Sequence, residues 1–139
     1  LQALFEPGPK GPIFMVNLLR FTDTAVYPDG RKTELSGREA YMIYAQAVSD
    51  LLPSFSGEAI FASDVSFLAL GQVEDLWDEI AIAKYASRRD LRRMSMSQEW
   101  QDISVHRTAG LAGQLNIETA ISNSAGLISS LQHNLMESE

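Results

Sequence analysis

The hydrophobic residues of this chain change their spacing several times, and each change marks an element. Between Ile13 and Phe21 (IFMVNLLRF) they are nearly continuous. Phe14, Val16 and Leu18 share one pleat face, while Ile13, Met15, Leu19 and Phe21 share the other. A strand apolar on both faces is a central strand covered twice. Asn17 interrupts the second face, where its amide is either a satisfied structural group or a ligand contact. From Ser36 the period becomes helical, with Ala40, Tyr44, Ala47, Val48 and Leu51 on one face. Ser36-Gly37-Arg38-Glu39 fits a capping box at its start, and Pro53 and Gly57 close it.

Beyond that helix the pattern alternates again. Gly57–Leu70 reads as a strand bulged near Ser63-Asp64, Gly71–Asp75 as a turn, and Trp77–Ala86 as another strand. Ile80 and Ile82 alternate there with alanines, which predicts something bulky packed close on the alanine face. Ser87 opens a second helix with Asp90 at the capping-box position and Leu91 and Met94 inward. Ser97 recaps a further helix over Trp100–Leu111, ended by Gly110 and Gly113, and Leu115–Ile121 is the last strand. Three segments follow: an extended lead-in over 1–12, a domain over 13–121, and a tail over 122–139. Leu1–Phe5 predicts a turn of helix, and the tail predicts an amphipathic helix carrying Leu127, Ile128, Leu131 and Leu135. Thr22–Leu35, with the turn signal Pro28-Asp29-Gly30, predicts a short hairpin or an excursion over a pocket mouth.

Strand, helix, strand, strand, helix, strand is the split βαβ, or ferredoxin-like, arrangement. It predicts an α+β fold: a four-stranded antiparallel sheet with helices on one face. The opposite face would be bare, yet the first strand is apolar on both sides. A contiguous apolar face needs a cover, and a second copy seated face to face is the economical one. The expected partner is therefore the chain itself, as a homodimer through the sheet. The tail is a further docking element, either for its own subunit or for another protein.

Composition narrows the chemistry. Cysteine is absent from the 139 residues, so disulfides, thiolate catalysis and thiolate metal sites are excluded. Two histidines, His106 and His133, do not make a histidine-rich metal site. Net charge is −7 without a basic run, which argues against nucleic acid or an anionic membrane as partner. The knot Arg88, Arg89, Arg92 and Arg93 reads as a solvated helix face. The acidic pairs Glu74-Asp75 and Asp78-Glu79 read as surface charge. A membrane-spanning run and a signal peptide are both missing from the pattern, so the expected location is cytoplasmic. No metal and no cofactor is expected.

The candidate chemistry centres on Trp100–Leu111. In helical phase Trp100, Ile103, Arg107 and Leu111 fall on one stripe, with Arg107 about 20° from Trp100. A permanent cation on an apolar face wants a carboxylate, a carbonyl or an anionic ligand. The structural alternative is an ion pair with Asp78 or Glu79. His106 sits about 100° away at the stripe edge, as a candidate base or a histidine with one hydrogen bond. Tyr41 and Tyr44 bring phenols to the face of the first helix, for packing or for ligand contact.

Several stretches resemble the domain-of-unknown-function 1330 family of the dimeric α/β-barrel superfamily. They are Pro12–Phe21, Gly37-Arg38-Glu39-Ala40-Tyr41, Trp77-Asp78-Glu79, Tyr85-Ala86-Ser87-Arg88 and His106-Arg107-Thr108-Ala109. The likeness spans about residues 10 to 121; Ala86 stands where the family typically has proline, and the tail has no counterpart. The resemblance implies the same ferredoxin-like dimer. Position by position, it implies Asn17, Arg38, Tyr41, Trp77, Asp78, His106 and Arg107 as the polar residues of a site. With His106 moving a proton, and Arg107 and Asn17 facing an oxyanion, such a set suits proton abstraction or isomerisation beside a carbonyl. Trp77 and the tyrosines would wall a small aromatic or cyclic ligand. The superfamily includes cofactor-less oxygenases, lactone isomerases and haem enzymes. The expectation is thus a small-molecule-binding homodimer. One version is a cofactor-independent isomerase, lyase or monooxygenase acting on a carbonyl-bearing or aromatic metabolite. The other is a non-catalytic ligand-binding or stress-associated dimer.

Overall fold

The computed structural model describes residues 8–122. The helical turn expected at Leu1–Phe5 and nearly all of the tail lie outside them. Element order is β1 (Ile13–Phe21), α1 (Gly37–Leu51), a 3₁₀ turn (Leu52–Phe55), β2 (Gly57–Asp64), β3 (Glu79–Tyr85), α2 (Arg88–Ser95), α3 (Gln98–Gly110) and β4 (Leu111–Thr119). The strands form one antiparallel sheet in the order β2-β3-β1-β4. Two βαβ halves interleaved in that order make the ferredoxin-like α+β fold. β1 is central, as its two apolar faces require.

Local chemistry sets the helix starts. At Ser36 the capping box is complete: its hydroxyl accepts from the Glu39 amide at 3.1 Å, and the Glu39 carboxylate accepts from the Ser36 amide at 2.9 Å. Ser87 and Ser97 cap α2 and α3 through the amides of Asp90 and Trp100. α1 and α3 cross closely at Gly37 and Gly110, where a Cβ on either residue would collide with the other's carbonyl oxygen. The last strand begins at Leu111, four residues before the sequence pattern placed it.

β2 is shorter than expected, ending at Asp64, and its bulge lies at Ile60, between the pairs Ala59↔Ala83 and Phe61↔Ile82. The Thr22–Leu35 excursion forms no hairpin. It is closed by the Ala25 amide on the Leu35 carbonyl at 2.9 Å and tied to α3 by the Val26 amide on the Ala109 carbonyl at 3.0 Å. The core lies between sheet and helices. One part joins Ile13, Leu52, Tyr85 and Met94; another joins Leu19, Tyr41 and Tyr44 with Trp100, Ile103 and Leu111 against them.

Candidate functional site between sheet and helices

Where the helices meet the sheet they leave a cavity of about 760 Å³. Its floor is the helix-facing side of the strands, with Met15 and Asn17 from β1, Ala81 and Ala83 from β3, and Asn116 and Glu118 from β4. The register places Asn17 between Ala81 and Asn116. Its roof is Tyr41 and Tyr44 from α1, Met94 from α2, and Trp100 and Arg107 from α3. The alanines of β3 are what make the room: larger side chains there would fill it. The bulky groups their spacing called for are the tyrosines, since Ala81 packs with Tyr41 and Tyr44.

Arg107 projects from α3 into this cavity. Its Nη2 donates to Asn116 Oδ1 at 3.0 Å, and its guanidinium stands 5.8 Å from the Tyr44 ring centre. Asp78 and Glu79, the partners considered for it, pair elsewhere. Asp78 accepts from the Phe21 amide at 2.8 Å, and Glu79 lies 3.8 Å from Arg38. Asn17 Nδ2 donates to the carbonyls of Ala81 (3.1 Å) and Met15 (3.3 Å). Both of its N–H groups are thereby committed, so it offers the cavity an acceptor oxygen, and donation to an oxyanion falls to Arg107.

Tyr44 accepts at its hydroxyl from Trp100 Nε1 at 3.1 Å. Burial raises the hydroxyl pKa of Tyr41, Tyr44 and Tyr85, with the positive charge of Arg107 opposing it in each. All three are neutral donors at ordinary pH. Arg88 and Glu118 face each other on the far wall in a bidentate pair, Arg88 Nε donating to Glu118 Oε1 at 2.7 Å and Nη2 to Oε2. The pair holds the Glu118 carboxyl below its ordinary pKa. Each of the two side chains is 19% exposed. This corrects the reading of the arginine knot as a wholly solvated face: Arg88 turns inward because an acid on β4, 30 residues away, meets it.

Other candidates stand apart from the cavity lining. His106 lies on the other flank of α3, its Nδ1 hydrogen-bonded to the Tyr27 hydroxyl at 2.7 Å and its ring edge-on to Tyr27. Burial, and then the charge of Arg31, lower its pKa. Arg38 bonds Asp64 at 2.8 Å and lies over the Phe21 ring. Trp77 precedes β3 and is stacked by Arg20 at 5.6 Å. Sequence reading missed Asn116, Glu118 and Tyr85 as lining residues and took Glu79 for surface charge or a partner of Arg107. Of these, Glu79 carried a usable signal: it alternates with Ala81 and Ala83 on the face the alanines marked.

No protein-family model matches the chain, and no curated protein matches it in sequence. Solved structures do. A protein of unknown function from Rhodopseudomonas palustris, RPA0582, is 24% identical with a TM-score of 0.78, over 88% of this chain and 91% of that one. Its methylated form gives 26% and 0.79, over 88% and 89%. Hydroxynitrile lyase from Passiflora edulis superposes with a TM-score of 0.60 at 10% identity, over 83% of this chain and 97% of the lyase. The fold is therefore shared with proteins of unknown function and with at least one enzyme. Among the described residues, no helix is long and apolar enough to cross a membrane.

Proposed function

We propose that the protein is a cytoplasmic homodimer that binds a small carbonyl-bearing or aromatic molecule in the cavity of each subunit, with cofactor-independent proton chemistry as its activity. One observation carries this reading. Arg107 is a permanent cation on the cavity wall, bonded to a neutral amide, and no ion pair among the described residues includes it. A partly buried guanidinium that forms no ion pair is suited to a carboxylate or to the negative oxygen that develops as a carbonyl enolises. Tyrosine rings, Met15 and Met94 supply the apolar wall such a ligand needs.

Support for the dimer comes from the other side of the sheet. Phe14, Val16 and Leu18 on β1 stand beside Ile80 and Ile82 on β3 and Leu115 and Ile117 on β4. Leu115 and Ile117 are about half exposed in the isolated subunit. A face of this kind is what a two-fold partner covers. Membership of the domain-of-unknown-function 1330 family belongs to the same proposal, supported by the residue likeness and by the fold.

A binding protein without catalysis is the second reading. It is favoured by the position of His106, the sequence's candidate base, which bonds Tyr27 outside the lining. Native mass spectrometry of freshly purified protein tests the shared core of both readings. The expected result is a dimer that releases a small molecule on denaturation, with the adduct lost in Arg107→Met. A monomer, or an Arg107→Met protein unchanged in stability and in every ligand interaction, would overturn it.

A further inference from the structure

Two carboxylates line the cavity, and they are held in opposite ways. Glu118 is locked by Arg88 through both oxygens. Glu79 opens β3 on the same face, in register with Leu19 and Asp64, and its side chain is only 13% exposed. The cation facing it is Arg38 of α1, 3.8 Å from Oε1, and that guanidinium is already bonded to Asp64 of β2 at 2.8 Å. Among the described residues no hydrogen bond reaches the Glu79 carboxylate. An acid so placed shares its one cation with Asp64, in a cavity whose own cation, Arg107, forms no ion pair among the described residues.

Resting on the small-molecule reading above, we infer that Glu79 exchanges a proton with the ligand of this cavity, as the general base for a C–H beside a carbonyl. In that step a Glu79 oxygen takes the proton. The C–H electron pair becomes the carbon–carbon double bond of the enolate, and the carbonyl π pair moves onto oxygen, facing Arg107. Return of the proton to the enolate oxygen, or to a carbon in conjugation with it, completes a tautomerisation that consumes no oxidant or reductant. Tyr41 of α1 lines the same cavity as Glu79 and Arg107, so base and cation face one shared space. Desolvation raises the pKa of Glu79, with Arg38 opposing and Asp64 reinforcing the rise, which brings it toward the pH where a base works best.

The experiment uses phenylpyruvate, an aryl keto acid with exchangeable benzylic protons, on the full-length protein in D2O. Binding is read by saturation-transfer NMR and exchange by loss of the benzylic signal above the buffer rate. Wild type is expected to bind and to accelerate exchange. Glu79→Gln should bind within about threefold of wild type, yet lose at least about 100-fold of the exchange rate. Glu79→Asp, which keeps a carboxylate, should retain part of the rate and a single rising pH limb. Equal exchange in wild type and Glu79→Gln, or wild-type binding with no exchange, would overturn Glu79 as base and leave the pocket standing. No binding by wild type would bring down the pocket reading with it. Circular dichroism shows whether each variant is folded, and an unfolded Glu79→Gln beside a folded but wild-type-fast Glu79→Asp counts against the inference.

Discussion

The two faces of the sheet are built from the same strands and do different things. On the helix side, apolar residues alternate with Asn17, Asn116, Glu79 and Glu118, and small alanines keep space open between them. On the other side the central strands carry mostly Phe, Val, Leu and Ile, partly exposed, beside the more exposed Leu115 and Ile117 of β4. A period of two lets one strand serve both. Polar groups are tolerated on the helix side because each finds a partner there or faces the cavity. The outer side has no such partners to offer, so it can be buried only against a surface as apolar as itself.

Charging the outer face should have the largest effect. Leu18→Asp, opposite Ile80 and Leu115, should weaken self-association by at least about 100-fold, roughly 3 kcal/mol. Analytical ultracentrifugation would show it, and phenylpyruvate binding should survive if the two faces are independent. Next comes the cavity itself: Arg107→Met should weaken binding of that probe about 10- to 100-fold while leaving the dimer intact. An equal loss of binding and dimerisation in either variant would erase the distinction between faces. Arg88→Met, which strands Glu118, should cost about 1–2 kcal/mol of stability, read as a lowered Tm.

The smallest effects are in the pH dependence. Glu79 has a folded pKa above its ordinary 4.5, so the native state binds the proton more tightly. Its contribution is fully present below 4.5 and is lost as pH rises through the folded value. Glu79→Gln should therefore raise Tm slightly at neutral pH, the mark of a residue kept at some cost to stability. His106 behaves oppositely in cause: its folded pKa lies below its ordinary 6.5, so stability falls as pH drops through that value. The fall should disappear in His106→Phe, and thermal melts at pH 7 and pH 5 measure both effects.

Neighbouring residues on α3 show where sequence reading reached its limit. The helical wheel put His106 at the edge of the Trp100–Ile103–Arg107 stripe, about 100° from Arg107, because 3.6-residue periodicity is a local property. It had no means of knowing that Tyr27, 79 residues earlier, would wait on the far flank. Asp78 and Glu79 show the same thing on a strand. Adjacent acids must point to opposite sides, but which one caps the Phe21 amide and which one enters the cavity depends on where β1 and α1 stand.

What the sequence by itself determined is the order of elements, the central place of β1, the capped helix starts and the bare apolar face. All of these follow from short-range periodicity, capping chemistry and the two-sided burial of one strand. Tertiary structure alone decided the pairing of Arg88 with Glu118, the meeting of Arg107 with Asn116, the committed amide of Asn17 and the sharing of Arg38 between Asp64 and Glu79. Partners far apart in the chain are chosen by sheet register and helix crossing, and those depend on contacts, such as Gly37 against Gly110, that no local pattern records.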